Sequence, residues 1–248
     1  MNTIKLSKRL SKIADYVPDG KSFADVGSDH ALLPSYLALE KKIPFAIAVE
    51  VNEGPFQAAK KQISNFKLER MIDVRKGDGL TVINQEEVDV IIIAGMGGAL
   101  IVDILDKGKK KLATVERLIL QPNVGENVVR KWLDQNMWDI KDEQILEENG
   151  KIYEIIVAEH RKGNIDPTYS SIPDRSKSEL YRLGPVLWKE KSSILLKKWK
   201  IELKKVEYIL QQLEKSQDEK EMRVKKQKML QEKKWIMGVV RCLEKGKI

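Results

Sequence analysis

Val88-Asp89-Val90-Ile91-Ile92-Ile93-Ala94 limits most strongly what this chain can fold into. The run is β-branched and apolar with almost no alternation. A strand of that kind buries both faces, which happens at the centre of a parallel sheet covered by helices. It runs into Gly95-Met96-Gly97-Gly98 and then an apolar helix, Ala99–Leu105. Around it the sequence repeats the same unit. An amphipathic helix is expected over residues 3–16, a strand over Lys21–Gly27 and a helix over Asp29–Glu40, with Pro34 tolerable in its first turn. A strand at Pro44–Val51, a helix from Asn52 to about 66 and a strand at Met71–Gly77 follow. Arg117–Leu120 is a fifth strand. The next helix carries Val128, Val129, Trp132 and Leu133. Trp138–Leu146 and Lys151–His160 flank Glu148-Asn149-Gly150, a hairpin signal. Five β/α alternations closed by a hairpin give an open α/β sheet, mostly parallel with an antiparallel edge.

Ligands of such sheets bind at the carboxyl ends of the strands. Asp25, Gly27, Glu50, Asp78, Gly95, Gln121 and Asn123 all fall there. The first turn, Asp25-Val26-Gly27-Ser28-Asp29-His30-Ala31, places two carboxylates around a glycine. Such a turn suits hydroxyl, ammonium or sulfonium groups better than a pyrophosphate, which prefers bare N–H groups. The dinucleotide fingerprint is absent, with Asp29 at its second glycine and Leu32 at its third. The plain alternative is an ordinary strand-to-helix turn capped by Ser28 or Asp29. Glu50 stands where such units carry an acid for a ribose hydroxyl pair.

Charge divides the chain. Residues 161–248 carry 23 Lys/Arg against 12 Asp/Glu, net +11, while residues 1–160 are net −3. A basic tail on a slightly acidic body points to an anionic partner, with nucleic acid favoured. Arg161–Ser178 reads as loop. Beyond it Leu195, Trp199, Val206, Ile209 and Leu213, then Met222, Met229, Ile236, Val239 or Val240 and Leu243, recur at helical or heptad spacing. A break at Ser216-Gln217-Asp218 makes them an antiparallel helical hairpin or coiled coil. Two domains are expected, 1–162 and 163–248. One cysteine, Cys242, excludes an internal disulfide. With no secretory leader and no long apolar run, the expectation is a cytoplasmic protein with no membrane and no metal, working as a monomer.

Three acids at successive strand ends without the dinucleotide fingerprint resemble the cofactor site of class I S-adenosylmethionine-dependent methyltransferases. Asp25-Val26-Gly27-Ser28-Asp29-His30-Ala31, Ala94-Gly95-Met96-Gly97-Gly98 and Gln121-Pro122-Asn123, in that order, resemble the bacterial tRNA (adenine-22-N1)-methyltransferase family more narrowly. That resemblance covers nearly the whole chain. It implies a Rossmann-like sheet with a coiled-coil C-terminal part, S-adenosylmethionine as cofactor and tRNA as partner. It places Asp25 to Gly27 against the methionine part of the cofactor, Glu50 on the ribose and Asp78 by the adenine amino group. Ser28, Asp29, His30, Val51, Gly79, Ala94, Gly95 and Met96 complete the expected cofactor set. Asp29, Gln121 and Asn123 are the expected catalytic residues, Asp29 facing the cationic product and the two amides meeting the base edge. His30 either contacts cofactor or base or is a helix-start imidazole, and Met96 either walls the base pocket or fills core. The Asn-Pro-Pro-Tyr type of motif used on exocyclic amines is missing, which favours a ring nitrogen. Another RNA, a protein or a small molecule as acceptor, and a non-enzymatic RNA-binding protein, are the competing readings.

Overall fold

The computed structural model describes residues 4–40, 42–163, 167–214 and 219–246. It divides into two compact units, Met1–Val186 and Leu187–Ile248. The first unit therefore runs on past the boundary expected at 162/163.

The first unit is built on a seven-stranded sheet of order β3-β2-β1-β4-β5-β7-β6. Its strands are β1 Phe23–Val26, β2 Ala46–Glu50, β3 Ile72–Lys76, β4 Val90–Gly97, β5 Arg117–Val124, β6 Trp138–Glu148 and β7 Lys151–His160. The first five pair in parallel, and β7 runs antiparallel between β5 and β6. The hairpin expected at the edge is thus present, with its second strand inserted inward. Its two-residue turn has Asn149 at φ 51° and Gly150 at φ 74°, the paired left-handed conformation that matches strand twist.

Side chains of a strand alternate between faces, so a sheet with both faces covered needs two cores. Phe23, Ala46, Ala48, Val90, Ile92, Ile119, Ile155 and Val157 share one core with Ile13 of α1 (Lys8–Asp15), Leu33 and Leu37 of α2 (Leu32–Leu39) and Ala59 and Ile63 of α3 (Glu53–Phe66). Their alternates, including Ala24, Ile47, Ile91, Ile93, Leu118 and Leu120, are equally buried. Ile101 and Leu105 of α4 (Gly98–Lys107) and Val129, Trp132 and Leu133 of α5 (Glu126–Gln135) are buried with them.

One helix of this unit buries an unexpected charge, and one expectation needs correction. Val128 is 40% exposed, whereas Arg130 is fully buried. Arg130 Nε donates to Glu143 at 2.6 Å, Nη2 to Glu154 at 2.6 Å and Nη1 to the Tyr181 carbonyl at 3.1 Å. Carboxylates from both hairpin strands thus take a charge that periodicity alone would send to solvent. Part of Arg161–Ser178 is not loop: α6 (Pro167–Ser170) and α7 (Lys177–Leu183) lie there or begin there. A reciprocal cap between Ser176 and Glu179 starts α7.

In the second unit α9 (Ser193–Glu214) and α10 (Glu219–Lys245) follow α8 (Pro185–Glu190), in which the boundary between units falls. Lys200 pairs with Glu244 at 2.7 Å and Glu207 with Lys233 at 2.9 Å. Rising numbers meet falling ones, so the two helices are antiparallel. Trp199 and Trp235 meet edge to face at 5.2 Å among buried Leu195, Val206, Ile236, Val239 and Leu243. Leu210 takes the buried place expected of Ile209, which is 38% exposed. The expected break at 216–218 and the Met222 side chain lie outside what is described. Among the described residues, no helix is long and apolar enough to cross a membrane.

Candidate functional site

The strand order reverses between β1 and β4, and the crevice above that point is where sheets of this kind hold ligands. Gly27 closes β1 at φ 74°. A Cβ there would meet the Met96 methyl, so Met96 is packed over the turn, and the left-handed backbone itself favours glycine. Gly95 forms a bulge at φ 78°, breaking the β4–β5 register between Ala94 and Met96.

After Gly27 the chain does not enter a helix at Asp29. Asp29, His30 and Ala31 all have left-handed backbones, at φ 45°, 65° and 55°. The helix therefore starts only at Leu32, with no side-chain cap. Pro34 falls in its first turn. The ordinary-turn alternative fails here, because the Ser28 hydroxyl donates to Asp25 at 2.7 Å and Asp29 caps nothing. Each non-glycine left-handed residue costs of order 1–3 kcal/mol and persists only where the surroundings impose it. Ala31 is completely buried, while the Asp29 and His30 side chains are 78% and 51% exposed.

Asp25 is buried at the end of β1, and burial pushes its carboxyl up to about 7 against the pull of Ser28. Nearby Glu50 raises it and Arg9 lowers it. Glu50 is buried at the end of β2, also raised by burial, with the backbone N–H groups of His30 and Asp29 drawing it back down. Its Oε1 is buried and accepts no hydrogen bond. A buried acceptor without a donor is costly unless a ligand supplies one. Val51 beside it is 58% exposed. Asp78 is exposed, precedes a short helical turn (Gly79–Val82) and lines a cavity of about 220 Å³ with Gly79, Leu80, Ile104, Lys107 and Lys111.

Gln121 is completely buried. Its Oε1 accepts from Arg9 at 2.6 Å and from the Gly95 N–H at 3.1 Å. Its Nε2 donates to the Pro122 carbonyl at 3.0 Å and to Asn123 Oδ1 at 3.1 Å. Exposed Asn123 donates back to the Gly95 carbonyl at 2.8 Å. Gln121, expected to meet a base edge, thus has its amide engaged with Arg9, Gly95, Pro122 and Asn123 inside the protein. Arg9, on α1, is the member that sequence reasoning missed.

Asp25, Glu50, the Gly27 turn and the Gly95 bulge thus share one strand-end crevice, with Asp29, His30 and Asn123 exposed on the same strand-end loops. The matching family model, described as tRNA (adenine(22)-N(1))-methyltransferase, covers residues 23–235. A Bacillus subtilis protein called tRNA (adenine(22)-N(1))-methyltransferase is 49% identical over 218 residues, 88% of this chain and 90% of that one. The crystal structure of the B. subtilis m1A22 tRNA methyltransferase TrmK superposes with a TM-score of 0.87 at 45% identity, covering 96% of this chain and 99% of that one. A Streptococcus pneumoniae protein crystallised in complex with S-adenosyl-L-methionine gives 0.81 at 40% identity, covering 95% of this chain and all of that one. With the Asp25 turn, the Gly95 bulge and Gln121-Pro122-Asn123 in the places that the fold gives them, the chain belongs to the tRNA (adenine(22)-N(1))-methyltransferase family.

Proposed function

We propose that this protein methylates N1 of adenine 22 in tRNA, using S-adenosylmethionine held at the strand-end crevice. The observation that carries the reading is the orphaned Oε1 of Glu50, a buried acceptor waiting for a hydroxyl at the position that suits a ribose. Asp25 supplies a second acid for a cofactor that is cationic at its sulfonium and ammonium. Asp78 and Val51 are assigned to the adenine end, and the Gly27 turn with Ala94, Gly95 and Met96 to the methionine end.

The bound cofactor supplies a methyl group that bonds to the N1 lone pair as the carbon–sulfur pair returns to sulfur, leaving a cationic base. Neutral N1 carries no proton, so no residue has to act as a base. The task of the chain is alignment, which is worth about 7–11 kcal/mol when the reacting groups are well held. Gln121 and Asn123 fix the Gly95 bulge. Exposed Asp29, on the loop after Gly27, is assigned to balancing the positive charge passed to the base. A base inside folded tRNA must be turned out of its stack at a cost of a few kcal/mol.

The second unit is assigned to docking the RNA. Lys197, Lys200 and Lys204 with Ser193 surround a groove of about 350 Å³ over Leu196 and Ile201. Each phosphate contact adds roughly 0.7–0.9 to the log–log dependence of affinity on salt. Replacing the three lysines by Gln should flatten that slope by up to about two to three; an unchanged slope removes this face from the interface.

The functional test is mass mapping of nucleosides in tRNA incubated with the protein and labelled cofactor. The label is expected as 1-methyladenosine at position 22. Label on another base, or none, overturns the assignment.

A further inference from the structure

The chain from Arg9 to Asn123 has a direction built into it. Guanidinium groups only donate hydrogen bonds. Arg9 Nη1 therefore dictates that the oxygen of the Gln121 amide, and not its nitrogen, faces α1. The same oxygen then accepts from the Gly95 N–H. That orientation leaves Gln121 Nε2 to donate towards Asn123, so the Asn123 oxygen must face inward and its nitrogen must donate to the Gly95 carbonyl. The Arg9 guanidinium and the Gly95 N–H as donors, with the Pro122 carbonyl as acceptor, thus set the Gln121 amide, which sets Asn123 in turn, and the shortest of these bonds is the charged one from Arg9; the two amides clamp both the N–H and the C=O of Gly95.

Arg9 is itself held without help from the crevice. The Lys8 and Arg9 N–H groups are accepted by Glu148 at 2.6 and 3.3 Å, and the guanidinium lies 5.5 Å from the Tyr153 ring centroid. Ser7 caps the same turn. The two bonds to Glu148 use backbone N–H groups, so they survive a change of the Arg9 side chain. Nothing in the local pattern of α1 announces this role, since Gln121 is over a hundred positions away.

We infer that Arg9 is a positioning residue of the methyl-transfer site, acting through the Gln121 and Asn123 amides to fix the Gly95 bulge where cofactor and target base meet. The inference rests on the function proposed above. Its loss should appear in turnover rather than in binding, because the groups it orients border the reaction centre.

The test compares Arg9→Met, Arg9→Lys, Asn123→Ala and the Arg9→Met/Asn123→Ala pair in the full chain. Arg9→Met should lower kcat at least tenfold, with KM for tRNA and Kd for cofactor within about threefold and an unchanged melting temperature. Arg9→Lys, still an obligate donor, should recover most of kcat. The pair should be no more than about threefold worse than its worse member, because both changes break one chain of bonds. Unchanged kcat in Arg9→Met, a loss confined to cofactor affinity, no recovery by Lys, or losses that multiply would each overturn the inference. NMR of the Gln121 and Asn123 side-chain amides reads the orientation without any substrate. Sharp resonances are expected in the wild type and shifted or exchange-broadened ones in Arg9→Met, and identical spectra refute the inference. Wild-type protein that transfers no methyl group to tRNA would instead refute the function.

Discussion

Asp25 makes the protein's stability depend on pH in a direction opposite to that of most carboxylates. Its carboxyl is raised from an ordinary 3.8 to about 7 by burial. Between those values the folded protein keeps a proton that the unfolded chain has released. The contribution of Asp25 to stability is therefore most favourable below about pH 4, falls as pH rises, and is lowest above about pH 7. Roughly three pH units at 1.36 kcal/mol each give about 4 kcal/mol. Asp25→Asn mimics the neutral acid and keeps an oxygen for the Ser28 hydroxyl, so it removes the penalty without opening a cavity. The assay is thermal melting of both proteins without cofactor at pH 5 and pH 8. The advantage of Asp25→Asn should widen by roughly 2–3 kcal/mol between the two, or about 4–12 °C at 2–4 °C per kcal/mol. A cationic cofactor should draw Asp25 back to its charged form, so binding near pH 6 should release close to one proton. Titrations in two buffers of different ionisation enthalpy measure that release. A pH-independent gap in melting, together with equal binding enthalpies in both buffers, refutes the reasoning.

Glu50→Gln should weaken cofactor binding about ten- to a hundredfold, from the 1.5–3 kcal/mol of a hydrogen bond to a charged group; calorimetry giving wild-type affinity would sink the ribose assignment. Asp29→Ala should cut kcat on tRNA more than it weakens cofactor affinity, and equal losses would make Asp29 a cofactor ligand instead. Arg130→Met should destabilise the first unit by about 3–5 kcal/mol, because Glu143 and Glu154 would stay buried without their partner; denaturant melts within 1 kcal/mol of wild type would contradict that.

The strand ends were legible in the sequence because parallel strands repeat one local pattern, and a polar residue after an apolar run marks its end. Asp25, Glu50 and Gly95 needed nothing more than that. The glycine turn was legible, but the left-handed run behind it was not. Asp29, His30 and Ala31 are ordinary residues, Ala31 held by burial and the other two with their backbone N–H groups turned to Glu50, and no local preference announces such a run. Arg130 was missed because its partners, Glu143 and Glu154, lie on a hairpin that periodicity treats separately. The Ser176-Lys177-Ser178-Glu179 cap was present as a signal and was outweighed by the surrounding prolines and serines. Arg9 was hidden for a different reason: its significance lies in a bond to a residue far along the chain.

The left-handed run also bears on how this protein could be made hardier. Glycine would relieve the backbone at Asp29, His30 and Ala31, though it would give back some of the gain by loosening the unfolded chain. Buried Ala31 offers that exchange with no exposed group to lose. At Asp29 and His30 the same exchange would delete the side chains that reach out of the loop beside the crevice. A search for thermostable variants scored on melting alone would drift towards glycine at those two positions and discard activity on the way. Within this run the tension between endurance and turnover falls on two neighbouring residues, which a screen can hold fixed together with Asp25 while the rest of the chain varies.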